Sequence, residues 1–343
     1  MSYPDLLDRS RRSGPLYAPT PFWADGARRL ASDIKTNGIE NFRNTGAPLN
    51  FFVPTYGYPG NSLNDQQIAA LRAAAHPATA KQLTIVENWL TGHDQARADY
   101  RVFAAAAQQC APYLMEFSES DAGNPREHFS FKGRHYSRSA LNYLIALTFL
   151  AQFADLEQCH TFLEIGGGFG TLGEILSKTR KPGTYRFINV DIPPTCEVAD
   201  YYLGEACRAT ERMASTEACR TDHHPIGDLP PLTVLPNWQV EALSGRIDVF
   251  VNFFSFQEME PEVVANYLEH VDRLGPKWIL LRNMREGKQE RTDDNPVGVA
   301  TPIKGPFYAE QLPNYVLRAT DADIFGSTTA DGFHSDLSVF ERV

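Results

Sequence analysis

Three kinds of hydrophobic pattern follow one another along the chain. From Met1 to about Gly60 the order is irregular, with proline, glycine and aromatic residues mixed. Within that stretch, Ala24 to Ile34 has helical spacing behind Pro21-Phe22-Trp23. Asn50 to Gly60 holds more aromatic residues than a solvated loop needs. It is expected to plug the underside of the main domain, with a lid or an aromatic wall for a flat or sugar-like ligand as the alternative. From Asp65 the pattern turns helical. Gln66 to Ala75, Ala78 to Trp89 and Gln95 to Gln109 are rich in Ala, Leu and Gln and poor in β-formers. Ser118 to Glu127 reads as an exposed loop, and Phe129 and Phe131 alternate as in a short strand that Gly133 turns back. Ser137 or Ser139 then caps a helix whose Leu141, Leu144, Ile145 and Thr148 share one face.

Beyond that helix, short apolar runs alternate with helical ones, which predicts an α/β fold with a parallel sheet. Thr161 to Ile165 is a buried strand, and Leu172, Ile175 and Leu176 start a helix behind a glycine-rich turn. Strands follow at Tyr185–Val190, Leu232–Gln239, Ile247–Phe254 and Trp278–Arg282, with helices at Cys196–Arg212 and Pro261–Leu274 between them. Tyr315 to Ala319 and Asp336 to Glu341 supply the last two strands. The expected organisation is a mainly helical N-terminal cap over residues 1–132 and a Rossmann-like domain over 133–343.

Composition narrows the partners. The net charge of −10 and the lack of any basic run argue against a nucleic acid ligand, which needs clustered Lys and Arg to neutralise phosphates. No stretch has the length of a membrane span and no signal-peptide core follows Met1. The five cysteines are scattered without a CxxC pair, so a reduced, cytoplasmic setting without disulfides or zinc is expected. The neighbouring His223 and His224 would point to opposite sides of an extended segment and are read as surface loop.

The chemistry concentrates at the glycine-rich turn. A strand–turn–helix unit brings backbone close to a ligand and aims a helix N-terminus at it. A dinucleotide fingerprint has the spacing G-x-G-x-x-G, whereas this chain has Glu164-x-Gly166-x-Gly168-x-Gly170. That spacing resembles motif I of the S-adenosylmethionine (SAM)-dependent methyltransferases. Asp191 ends the next strand about 20 residues on, where doubly wound folds hold a ribose. Trp238 or Asn237, after the following strand, is expected beside the adenine. Because ligands lie outside the C-terminal strand ends, Ser255, Gln257 and Glu258 are expected near the transferred group, with Arg282 at the end of the fifth strand. The start of the helix after Gly133 adds Arg134, His135 or Tyr136 as further polar groups.

Leu163 to Glu174, Asp191-Ile-Pro-Pro-Thr and Ser255-Phe-Gln-Glu-Met together resemble a bacterial group of sugar O-methyltransferases over roughly Gly133 to Arg285. The resemblance implies a class I methyltransferase sheet. It also implies that Glu164, Gly166, Gly168 and Gly170 hold the amino acid end of SAM and Asp191 its ribose. The implied reaction is O-methylation of a small-molecule hydroxyl, with a sugar as the acceptor the family name suggests. Glu258 is the first candidate for general base and His135 the reserve. Asn252 and Asn283 stand at strand ends where a metal-assisted enzyme needs carboxylates, so no metal is expected. A carboxylate or peptide O-methyltransferase and a non-catalytic SAM-binding module are the alternatives.

Overall fold

The central strands are buried on both faces almost throughout, which is why their sequences run apolar instead of alternating. The computed structural model describes residues 3–75, 79–207, 211–293, 295, 298–329 and 332–343. The hairpin strands β1 (Phe129–Phe131) and β2 (Arg134–Tyr136) stand apart from the main sheet. That sheet is built from β3 (Thr161–Ile165), β4 (Arg186–Asp191), β5 (Leu232–Pro236), β6 (Val249–Phe253), β7 (Trp278–Met284), β8 (Tyr315–Asp321) and β9 (His334–Arg342). Its order is β8-β9-β7-β6-β3-β4-β5, extended by a two-residue strand, Arg212–Met213, beyond β5. Neighbours from β7 to β5 run parallel, and β9 is antiparallel to both β7 and β8.

Order reverses at β3: the chain moves outward through β4 and β5, then returns to the other side through β6 and β7. A crevice opens at such a switch point, outside the C-terminal strand ends. The helices α7 (Arg138–Leu150), α8 (Thr171–Thr179), α9 (Thr195–Ala206) and α10 (Pro261–Leu274) connect and cover the strands. Ser137 caps α7, its Oγ accepting the Ala140 N–H at 3.2 Å. The third strand stops at Pro236, short of the expected Gln239, because Asn237–Ala242 winds into a 3₁₀ helix.

The first third is mainly helical: α2 (Pro21–Asn37), α4 (Asp65–Ala74), α5 (Ala80–Leu90) and α6 (His93–Cys110) fall where helical spacing was read, while α1 (Tyr3–Arg12) and α3 (Gly46–Phe51) form in the stretch expected to be irregular. Ala78, where one expected helix begins, lies outside the described residues, as do residues 208–210 at the end of another. This part does not pack as a body of its own. Leu30, Phe42, Val53, Tyr100 and Phe103 share a continuous core with Leu141 and Leu144 of α7 and with Phe162, Phe187 and Val249 of the sheet. Leu6 and Tyr17 join the core on the opposite sheet face with Leu235, Phe250 and Tyr267. A division at 132/133 also falls inside the β1–β2 hairpin, whose strands pair Phe129 with Tyr136. All five cysteines are free thiols, and among the described residues no helix is long and apolar enough to cross a membrane.

One buried ion pair ties the N-terminal part to the rest. Arg43, 1% exposed, donates from Nη2 to Glu119 Oε1 at 2.7 Å. Glu119 also accepts the Ser137 hydroxyl at 2.8 Å, beside the start of α7. Burial works against the Glu119 charge, but Arg43 and its other donors hold the carboxyl below its ordinary value. The stabilisation is therefore present above the unfolded pKa of about 4.3 and lost as pH falls through the depressed folded value. Arg43→Met, leaving Glu119 buried without its partner, is expected to cost about 3–5 kcal/mol in urea unfolding at pH 7. It should also flatten the acid limb, because Glu119 then keeps only the Ser137 and His128 donors to hold its carboxyl down. An unchanged midpoint would show that the pair contributes nothing net.

Candidate active site

Strand β3 runs directly into Gly166-Gly167-Gly168-Phe169-Gly170 before α8 begins at Thr171. Gly166, Gly168 and Gly170 have φ of 70°, 58° and 95°, the left-handed region that only glycine adopts cheaply. Space is equally tight. A Cβ at Gly166 would lie 2.0 Å from Ser255 Oγ, and one at Gly167 would lie 2.3 Å from Asn189 Oδ1. The Gly168 N–H donates to Asp191 Oδ2 at 2.8 Å, while Asp191 Oδ1 accepts the N–H of Ile192 at 2.7 Å. Burial still pushes the Asp191 carboxyl up to about 7.

Two cavities meet over this turn. The larger, about 510 Å³, is lined by the turn, the start of α7, the ends of β6 and β7, and the aromatic stretch from Leu49 to Pro54. The smaller, about 50 Å³, runs past Asp191, Ile192 and Asn237 under the segment Leu16–Thr20. Gly166, Gly168, Ser255, Trp23 and Phe52 line both. Together they reach the size of a small-molecule site.

The structure brings Gly166, Gly168, Asp191, Ser255, Gln257, Glu258 and Arg282 to these cavities. Ser255 Oγ accepts from Asn252 Nδ2 at 2.6 Å, which fixes it at the junction. Gln257 accepts the Met284 N–H at 2.6 Å and so locks the β6 and β7 ends together. Glu258 is engaged at both oxygens, by Lys288 Nζ at 2.8 Å and by Trp23 Nε1 at 3.1 Å. Burial raises its pKa, and Lys288 and Trp23 oppose that rise.

Five expected positions lie elsewhere. Glu164 sits beneath the turn and not in a cavity: the Tyr143 hydroxyl donates to Oε1 at 2.6 Å, and Oε2 has no partner. Burial pushes this carboxyl up to about 8, and Oε2 lies against Gly167, 2.6 Å from where a Cβ would be. Gly170 faces Leu203 of α9, where a Cβ would come within 3.0 Å, so its smallness serves helix packing. Trp238 points into the lower core, 7% exposed, and its neighbour Asn237 takes the cavity wall because the 3₁₀ turn rotates the two apart. Tyr136 is fully buried among Tyr100, Phe103 and Phe117. His135, on the opposite face of the same strand, is exposed beside His128, away from both cavities. Asp121, His128 and His135 form a surface cluster with ligand atoms within 4.8 Å of one another.

Other site residues escape local reading. Arg138, Ser139, Asn142 and Tyr143 come from the first turns of α7, one turn past the residues singled out in the sequence. Trp23 and Lys288 are brought together from opposite ends of the chain, and the Lys288 ammonium lies 3.5 Å from the centroid of the Phe22 ring. The aromatic stretch packs inward and also lines the cavity: Phe52 packs towards Phe42 and Phe169, while Phe51 tilts against Trp23 at the cavity. Phe254 holds a φ of 62°, an uncommon conformation for a bulky residue, and lines the larger cavity at the end of β6.

Sheet order, reversal point, glycine turn and the carboxylate ending β4 define a Rossmann-like, doubly wound α/β fold with its crevice at the end of β3. No family model matches the sequence, and no curated protein does. Among solved structures, magnesium protoporphyrin IX methyltransferase from Synechocystis PCC 6803 with bound SAM is similar at 14% identity and TM-score 0.38, over 60% of this chain and 81% of that one. The mitomycin 7-O-methyltransferase MmcR is similar at 11% identity and TM-score 0.36, over 94% of this chain and 69% of that one. The pyocyanin biosynthetic protein PhzM is similar at 12% identity and TM-score 0.39, over 74% and 72%.

Gly166 and Gly168, which line both cavities, separate backbone strain from steric contact. At Gly168 the nearest atoms to an added Cβ are 3.9 Å away, so Gly168→Ala is expected to cost only the left-handed backbone, about 1–2 kcal/mol. Gly166→Ala adds the clash with Ser255 and should unfold at a lower temperature than Gly168→Ala. Thermal unfolding of the two variants checks the order, and equal or reversed midpoints would contradict this geometry.

Proposed function

We propose that the protein is an O-methyltransferase that transfers the methyl group of SAM to a hydroxyl of a small molecule. The observation that carries this reading is the placement of Asp191 across the glycine turn, in one of two cavities that share Gly166, Gly168 and Ser255, with Glu258 lining the other. SAM supplies a sulfonium-bound methyl that is already activated. Asp191 would accept hydrogen bonds from the ribose hydroxyls with its remaining lone pairs, since two of a carboxylate's roughly four acceptor positions are used. Asn237 Oδ1, buried without a partner, is an acceptor suited to an adenine amino group. Its Nδ2 donates to the Tyr17 carbonyl at 2.8 Å, so the covering segment Leu16–Thr20 must shift outward to admit the nucleoside. The methionine half would lie over Gly166 and Gly168 beside Ser255.

Glu258 would take the acceptor's proton. Its oxygens keep free lone pairs beside Lys288 and Trp23, and burial brings its pKa upward from that of an ordinary, weakly basic carboxylate. Deprotonation leaves the acceptor oxygen to attack the methyl carbon as the carbon–sulfur bond breaks, releasing S-adenosylhomocysteine. The aromatic wall of Trp23, Phe51 and Phe52 excludes water from that step and suits either a flat ring or the apolar face of a sugar. Neither a divalent metal nor a nucleic acid enters this reading. A cytoplasmic setting accords with the unpaired thiols.

Calorimetric titration with S-adenosylhomocysteine and NADH tests the cofactor. Only the adenosyl ligand should bind, and Asp191→Ala should weaken it by about 1.5–3 kcal/mol. The ionised Asp191 is the better acceptor, so wild-type affinity should fall as pH drops through about 7. NADH binding, or no binding of either, would overturn the assignment. Separately, Glu258→Gln should lower turnover about 10²- to 10⁴-fold while leaving S-adenosylhomocysteine affinity unchanged. Full turnover by that variant would remove Glu258 from the chemistry.

A further inference from the structure

The larger cavity carries two guanidinium groups with no carboxylate against them. Arg282, 3% exposed, ends β7 and lines the cavity. Its Nη1 donates to Asn142 Oδ1 at 3.3 Å and its Nη2 to the Phe325 carbonyl at 2.7 Å, while Nε is buried without a partner. Arg138 lines the same cavity and donates from Nη1 to the Thr55 carbonyl at 2.7 Å. Among the described residues neither has an ion-pair partner within 4.0 Å, although fifteen other lysine and arginine side chains do. Lys288, the other cation on the cavity wall, is neutralised by Glu258.

The nearest negative groups do not fill that role. Asp99 acts on both arginines through space, but it accepts the Tyr56 hydroxyl at 2.5 Å and lines neither of the two cavities. Glu127 is turned away, accepting the N–H groups of Tyr56 and Gly57 at 2.9 and 3.0 Å, and burial pushes its carboxyl up to about 7. A buried cation without a counter-charge is costly, and Arg282 responds with a value pushed down to about 10 by burial. An arginine fork with an unused N–H on a ligand cavity is matched by a carboxylate, which accepts two parallel hydrogen bonds.

Resting on the methyltransferase reading, we propose that the acceptor carries a carboxylate group, seated on Arg282 with Arg138 beside it, and that this charge selects the substrate. The methionine carboxylate of SAM is the other source of that chemistry. Position argues for the acceptor. Arg282 lies on β7, two strands from the glycine turn that ends β3, which at a strand spacing of about 4.8 Å places it roughly 10 Å across the sheet. Between them β6 ends in Phe253, stacked on Tyr143 at 4.6 Å, with the Arg282 guanidinium 5.7 Å from the Phe253 ring. The acid would therefore be held over this aromatic floor, with its hydroxyl towards Glu258.

The test is calorimetry on protein saturated with S-adenosylhomocysteine, using two matched pairs: 3,4-dihydroxybenzoate against 3,4-dihydroxybenzamide, and glucuronate against glucose. In at least one pair the acid should bind 10-fold or more tightly than its neutral partner. Arg282→Gln should abolish that preference, with Arg138→Gln reducing it. No preference in either pair, or no binding of any of the four, overturns the proposal. The two carboxylate sources separate on the cofactor arm. If Arg282→Gln weakens S-adenosylhomocysteine 10-fold but leaves 5′-methylthioadenosine unchanged, Arg282 holds the methionine carboxylate and the acceptor proposal falls. If wild-type protein binds neither adenosyl compound, the methyltransferase reading itself has failed.

Discussion

The hydrogen bond from the Gly168 N–H to Asp191, 2.8 Å long, is the contact on which the rest of the site depends. It requires the chain to leave β3 through left-handed residues, and it brings the ends of β3 and β4 close enough to share one ligand. Everything around the turn enforces that approach. Glu164 and Asn189 fill the space below Gly167, Ser255 closes the side at Gly166, and Leu203 closes the helix end at Gly170. The turn is consequently a fixed platform, and motion for ligand access is left to the segments above it.

Those segments come from the chain's two distant parts. Leu16–Thr20 and Trp23 cover the platform from the N-terminal side, and Lys288 comes from the connection after β7. Glu258 joins them, holding Trp23 with one oxygen and Lys288 with the other. In this arrangement the proposed base also latches the cover, so proton transfer and closure would be coupled through one carboxylate. The N-terminal third is thus part of the site and of both hydrophobic cores, and a separate cap domain describes it poorly.

The sheet was legible because its strands are continuous apolar runs punctuated by glycine and proline, a signal that is local. The glycine turn and Asp191 were legible for the same reason: their geometry is set within a few residues. What failed depends on rotation or on long-range packing. Tyr136 and His135 point to opposite faces of a strand, and neither face meets the cavity; the next turn of chain, Arg138 to Tyr143, does. Of Trp238 and Asn237, both read as candidates, one turn of 3₁₀ helix brings only Asn237 to the cavity. Trp23 and Lys288 carry no motif at all, and only the fold brings them to Glu258.

A structure of the protein crystallised with S-adenosylhomocysteine tests the central claim most directly. The ribose hydroxyls are expected on Asp191, the adenine beside Asn237 with Leu16–Thr20 displaced, and the sulfur between Gly166 and the cavity that holds Glu258 and Arg282. An adenosyl ligand bound away from Asp191, or with its sulfur facing away from that cavity, would contradict the account.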